Sequence, residues 1–154
     1  MCFVEWSPGL PLEIELVASG NKLAEQFRSD APVSYVTPPG IDPSAVFSRI
    51  AVIHSGRSVY VSGTYGDISS NAEKEVRDVF AQLRSLLQQA GTDFDHMAKA
   101  TYYVTNDASS RILGTVRQEL YNPRRPPAAS KALVKGVGKN GHSLMLDMIA
   151  VVPR

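Results

Sequence analysis

The sequence predicts an α+β domain, a mixed sheet with two helices packed on one face. Three observations predict it. Apolar residues recur at helical spacing through residues 71–90. Short β-branched and aromatic runs, bounded by Gly, Asn and Asp, lie on both sides of that segment. Their order along the chain is strand, strand, helix, strand, helix, strand, strand.

Residues 1–32 stand apart as an N-terminal extension ahead of a domain at 33–154. Pro11-Leu-Glu-Ile-Glu-Leu-Val-Ala18 alternates as a strand does, and it echoes Ser143-Leu-Met-Leu-Asp-Met-Ile-Ala150 position by position. Leu12, Ile14, Leu16 and Val17 are too apolar for a free tail, so Leu12 to Ala18 is expected to pair with Phe3 to Trp6 or with a sheet edge. Ser19 to Pro32 follow as a polar linker, with room for one helical turn at Lys22 to Phe27.

Ser48 to Ile53 and Arg57 to Ser62 flank a turn at Ser55-Gly56 and are expected to form a hairpin. In the first helix Val76, Phe80, Leu83 and Leu87 make one apolar stripe. Ser70 and Glu73 have the spacing of a capping box, and Gly91 can take the left-handed conformation just past the end. Lys99 to Val104 is a β-branched and aromatic strand closed by Thr105-Asn106-Asp107. A second helix over Ser109 to Tyr121 turns Ile112, Val116 and Leu120 inward and stops before Pro123. Ser130 to Val134 and Leu144 to Val152 are the last strands, joined through Gly136, Gly138 and Gly141 in what reads as a final hairpin.

The chain has 154 residues, enough for one domain with its own core. Sixteen Lys+Arg against fifteen Asp+Glu leave a net charge of +1, which argues against a strongly basic nucleic-acid binder. No apolar run has the ~18 residues of a membrane span. The start MCFVEWSPG lacks the basic and apolar regions of a signal peptide, so a cytoplasmic protein is expected. The one cysteine, Cys2, excludes an internal disulfide and reads as structural. With His54, His96 and His142 scattered, there is no metal-ligand cluster. No metal or other cofactor is expected.

Val61-Ser62-Gly63, the helix end Ala90-Gly91-Thr92, Lys99-Ala-Thr-Tyr-Tyr-Val104, Pro126-Pro127-Ala128 and Met148-Ile149-Ala150-Val151 come in an ordered series. That series resembles the Rid/YjgF family, the reactive-intermediate deaminases, over residues 33 to 154. Pro8 to Ala18 is similar to the last strand of a preceding Rid domain, as in a tandem arrangement. The resemblance implies a chorismate-mutase-like fold and a homotrimer whose three sheets build a barrel, with small-molecule pockets at the subunit interfaces. It implies hydrolysis of 2-imino acids and enamines to 2-keto acids and ammonia. It also implies a clamp arginine after the Pro-Ala pair, which holds the substrate carboxylate by bidentate hydrogen bonds. A glutamate on the last strand positions water, and the Ser-Gly turn and an aromatic residue line the pocket.

On these positions the chain departs from the family. The clamp arginine falls on Ala129, the glutamate on Met145, and the aromatic on Phe47, while Ser62 and Gly63 are retained. Lys131, two residues after Ala129 on an alternating strand, shares its side and is the candidate cation or Schiff-base nucleophile; otherwise it is a solvent-facing strand lysine. Asp147, two residues after Met145, is the candidate carboxylate for water, or a structural carboxylate within a trimer. Ser62 could donate to a ligand, or serve only the turn. The expected site thus combines Lys131, Asp147 and Ser62 as catalytic residues with Phe47, Gly63, Ala129 and Met145 as binding residues.

The remaining candidates have plainer readings. His142 beside Gly141 reads as a solvated turn histidine, and Arg124-Arg125 as a solvated basic loop. Glu13 and Glu15 share one strand face and could supply a carboxylate to another subunit. Function then divides between a deaminase-like hydrolase and a non-catalytic small-molecule-binding trimer. Ribonuclease activity, also attached to the family, sits poorly with a balanced charge.

Overall fold

A computed structural model describes residues 5–6, 16–20 and 25–154. The strands are β1 (Glu5–Trp6), β2 (Val33–Val36), β3 (Ile50–Ile53), β4 (Arg57–Thr64), β5 (Met97–Val104), β6 (Ala128–Gly136) and β7 (Leu144–Val152). The helices are α1 (Ala72–Gln89) and α2 (Asp107–Leu120), with short 3-10 turns at Glu25–Phe27 and Phe94–His96. The main sheet runs β1-β6-β5-β7-β4, and β2 and β3 form a separate pair. Only β5 and β6 are parallel, so the sheet is mixed as expected.

Helix α1 forms where the apolar period placed it, with Val76, Val79, Phe80, Leu83 and Leu87 buried. They meet Ala100, Tyr102 and Val104 of β5 and Leu144, Leu146 and Met148 of β7. Each such large side chain stabilises by about 1.5–3 kcal/mol on burial. The cap differs from the expected Ser70 box. Asn71 holds the N-cap and its side chain accepts from Lys74 N–H at 2.9 Å, because it is the residue immediately before the first helical one. Gly91 ends the helix at φ 81°. Helix α2 begins two residues earlier than expected, capped by Asn106, and buries Ser109, Leu113, Val116 and Arg117. Ile112 and Leu120 are only partly buried.

Both expected hairpins are absent from the observed pairings. β3 pairs with β2, Val33 opposite Ile53, while β4 pairs with β7. β6 and β7 are separated by β5, which inserts between them. The loop from β6 to β7 is therefore a crossover, and it carries His142 into a buried position at 9% exposure. Local sequence spacing suggests adjacent pairing, but β7 gains two long antiparallel partners, β4 and β5, by lying between them, and the outer edge of β6 is left to the short β1. In the N-terminal region, Glu5 and Trp6 pair antiparallel with Gly136 and Val134 of β6. Of the strand expected at Leu12 to Ala18, residues 12–15 lie outside the described residues. Leu16 to Ala18 carry no strand, and Leu16 and Val17 are exposed. Cys2, Glu13 and Glu15 also lie outside the described residues.

The register assigns a face to every strand residue. Ala100, Tyr102 and Val104 of β5 face the helices; Lys99, Thr101 and Tyr103 alternate to the other side. Tyr102 lies within the helix-side core, where its hydroxyl hydrogen-bonds that of Tyr121. Burial pushes the Tyr102 phenol up to about 12 and the Tyr121 phenol well above its ordinary value. Below the unfolded value of about 10 both states hold these protons, and pH has no effect through them. Above it, the unfolded chain loses them first, so stability falls as pH rises toward 12. Denaturant midpoints at pH 8, 10 and 11 should therefore decline across the last interval, and Tyr121→Phe should flatten that decline.

Candidate functional site

Residues 47–49 run beside the start of β6. Ser48 N–H donates to Pro127 C=O at 2.9 Å, and Ser48 bridges Ala128 in parallel sense. Between this segment, β6 and α2 lies a cleft of about 510 Å³ lined by Phe47, Ser48, Arg49, Arg117, Ala129, Ser130 and Lys131. Three of the expected residues, Phe47, Ala129 and Lys131, thus meet in one place. Ala129 is opposite Ala100 and Lys131 opposite Tyr102, so both point to the helix side. The inference that Lys131 shares a side with Ala129 holds.

Lys131 Nζ donates to Ser110 Oγ of α2 at 2.8 Å. Partial burial and then the nearby Arg117 guanidinium pull its ammonium below its ordinary value, with Asp107 opposing them. This shift favours a neutral amine more than an isolated lysine would.

The other expected residues lie elsewhere in the protomer. Asp147 is opposite Thr101, and Met145 is opposite Tyr103, both on the face away from the helices. Asp147 is half-buried, its Oδ1 3.9 Å from Lys99 Nζ. Met145 is fully buried; Tyr65 Oη donates to the Val137 carbonyl at 2.6 Å and lies 3.2 Å from Met145 Sδ. Ser62 alternates with Val61, which packs on the helix side. Gly63, at φ 66°, sits in the irregularity of β4 between Val61 and Thr64.

Arg117 was not among the expected residues. It is 8% exposed, and its guanidinium stands 4.7 Å above the ring of Tyr102. Its Nε is buried without a hydrogen-bond partner, and so is the Oγ of Ser48. Both residues belong to the wall of the cleft, with these two atoms closed off from solvent behind it. The sequence signal was present: Arg117 follows Val116 on the Leu113–Val116–Leu120 stripe, where a helix buries a band rather than a line.

His142 joins a different group. Its Nδ1 is 3.3 Å from Glu75 Oε1, outside hydrogen-bond geometry, and its ring meets Tyr65 edge-on. Glu75, 3% exposed, accepts from Ser143 N–H at 2.9 Å and from the Ser143 hydroxyl, which Ser109 Oγ also contacts at 2.7 Å. This network ties α1, α2 and the crossover together. A second cavity, about 230 Å³, lies between α1 and the Phe94 turn, where the Arg84 guanidinium stands 5.0 Å from the Phe94 ring centroid. It contains no buried polar atom without a partner among the described residues.

Among the described residues no group of three His, Cys, Asp or Glu is placed to hold a metal ion. No helix there is long and apolar enough to cross a membrane.

A family model described as endoribonuclease L-PSP matches residues 38–152. Among solved structures, a Rid-family protein of unknown function, YyfB from Yersinia pestis, superposes with a TM-score of 0.70 at 18% identity, over 79% of this chain and 99% of that one. A member of the YjgF/YER057c/UK114 family from Mycobacterium tuberculosis matches with a TM-score of 0.57 at 26% identity, over 78% of this chain and 99% of that one. RidA from the Antarctic bacterium Psychrobacter sp. matches with a TM-score of 0.57 at 20% identity, over 71% and 92%. No curated relative matches the chain.

Proposed function

This chain belongs to the Rid/YjgF family, and from that premise we propose that it is a Rid-like hydrolase of the deaminase type, acting on a small imine or enamine. Its domain is residues 33–154, with 1–32 an extension whose Glu5–Trp6 strand borders β6. The observation that carries the reading is the cleft at the start of β6. It holds the positions where the family places its substrate, Phe47 and Ala129, next to a lysine whose ammonium is pulled down. An amine of lowered basicity suits attack on, or proton transfer at, a C=N carbon.

The proposed assembly is a homotrimer with closed symmetry. Tyr60 is 70% exposed on the face away from the helices, and Ser62, Asp147 and Ile149 share that face. Trimer formation would cover it and bring Ser62 and Asp147 of one subunit toward the cleft of the next. Such a site lies between subunits and needs both faces at once.

The rival reading is a trimer that binds a small molecule without chemistry. It gains weight from Ala129 and Met145, which replace the family's clamp and glutamate. Ammonia release separates the two. The assay uses imines generated in place from amino acids, one set with the carboxylate beside the C=N carbon and one with it further away. Slow release from the first set and faster release from the second is expected. Release at the buffer rate from every imine, with ligand binding retained, would leave only the binder.

A further inference from the structure

We propose that the Arg117 guanidinium, with the Ser48 hydroxyl, binds the anionic group of the ligand in this cleft. A residue of α2 thereby supplies the cation that position 129 on β6 lacks. The inference rests on the reading of the cleft as the ligand site.

Three facts converge on it. First, a buried guanidinium N–H without a partner is costly and is rare in a folded protein. Arg117 Nε is such a group, and Ser48 Oγ is another. Only one further side-chain atom among the described residues is in that state, His142 Nδ1. That two of the three belong to residues of one cleft wall points to a ligand that completes them as it settles there. Second, the cleft lining contains Arg49, Arg117 and Lys131 and no carboxylate. No carboxylate of the described residues forms an ion pair with Arg117. Third, Arg117 is held in place before any ligand arrives. Its guanidinium stacks on Tyr102, and its stem is locked in the buried band of α2. A held donor loses little freedom on binding.

The chemistry that fits is an oxyanion on a small apolar body. The Arg117 guanidinium donates to it, rotation of the Ser48 hydroxyl out of its closed position brings a second donor, Lys131 adds charge at the mouth, and Phe47 and Ala129 contact the apolar part. The anion is drawn to the α2 side of the cleft and not to the β6 position of the family clamp. In a substrate held this way the anion and the C=N carbon are further apart than in a 2-imino acid. The class is therefore an imine or enamine whose anionic group is remote from the reacting carbon.

The test is titration calorimetry at low salt, where exposed charge is least screened. The probes are sodium benzoate and inorganic phosphate, against the native chain, Arg117→Met, Arg117→Lys and Ser48→Ala. Benzoate is expected to bind the native chain. Arg117→Met should weaken it by about tenfold or more and Arg117→Lys by less, since an ammonium keeps charge but not the fork. Ser48→Ala should weaken it several-fold while leaving the thermal midpoint unchanged, because no internal hydrogen bond is lost. A purely structural hydroxyl would show no change in binding. If Arg117→Met does not fold, the other two variants decide, and benzoate affinity equal to native in both would overturn the proposal. So would an absence of binding by both probes. Phosphate binding in preference to benzoate, weakened by Arg117→Lys and more by Arg117→Met, would support the same site with a phosphoryl compound as its source. Binding that follows Arg117 without ammonia release from any imine would sink the hydrolase and leave this site standing. Ammonia release unaffected by Arg117→Lys would do the reverse.

Discussion

Arginine introduced at position 129 is expected to raise the initial rate of 2-iminobutyrate hydrolysis by about 10- to 150-fold over the native chain. The range follows from a charge-assisted bidentate pair, worth about 1.5–3 kcal/mol at ~1.4 kcal/mol per decade. Ala129 lies opposite Ala100 on the helix side of β6, and its methyl borders a cleft of about 510 Å³, so a longer side chain has space to extend. The substitution returns the clamp to the strand, where a carboxylate adjacent to the C=N carbon can meet it. Two cations already nearby, Arg117 and Lys131, set the upper limit, because a third raises the cost of holding them together without an anion. The control is Lys131→Ala in both backgrounds. Lys131 is half a clamp at best, a point charge on a flexible stem. Native activity equal to that of an arginine-bearing relative, unchanged by Ala129→Arg, would show that the strand position is dispensable. Loss of that activity in Lys131→Ala would then name the replacement.

Gly66→Ala is expected to destabilise the fold by about 3 kcal/mol, the upper end for overpacking. A Cβ at Gly66 would lie 2.1 Å from the carbonyl oxygen of Glu75 and 3.0 Å from Val79 Cγ2. The first contact is helix backbone, which cannot rotate away, so α1 itself must move. Glu75 moves with it, and its carboxylate then loses alignment with Ser143. The thermal midpoint should fall by about 6–12 °C for a chain of this size. Gly114→Ala is the contrasting substitution. Gly114 lies inside α2 with nothing within 4 Å of its Cβ position. Alanine there should raise stability by about 0.5–1 kcal/mol through helix propensity. Equal midpoints for the two variants would remove the steric argument.

Period and alternation were legible in the sequence; partnership was not. The stripe Val76–Phe80–Leu83–Leu87 is buried as its spacing required, because 3.6-residue periodicity is local to the helix. Alternation likewise put Ala129 and Lys131 on one side of their strand. Which side that was relative to Asp147 depends on the register of β6 and β7 against β5, a relation between segments far apart in the chain. Hence alternation alone suggests one site for Lys131 and Asp147, and the sheet separates them within a protomer. The β3–β4 and β6–β7 hairpins failed for the same reason, since turn residues mark where a chain bends and not what it bends toward. Arg117 was missed because charge on a helix is ordinarily solvated, while its position in the Leu113–Val116 band marked it as buried.

β7 is the last strand in sequence and lies between β4 and β5 in the sheet. Synthesis of the chain therefore delivers this inner strand after both of its neighbours. Until residue 152 has cleared the ribosome, β4 and β5 are without their shared neighbour, and α1 has no Leu144, Leu146 or Met148 to pack on. At about 5–20 residues per second, a nascent chain spends several seconds with these apolar surfaces uncovered. Stop codons within β7 should yield chains that aggregate or are degraded, whereas β1, at the sheet's edge, can be trimmed with far less damage.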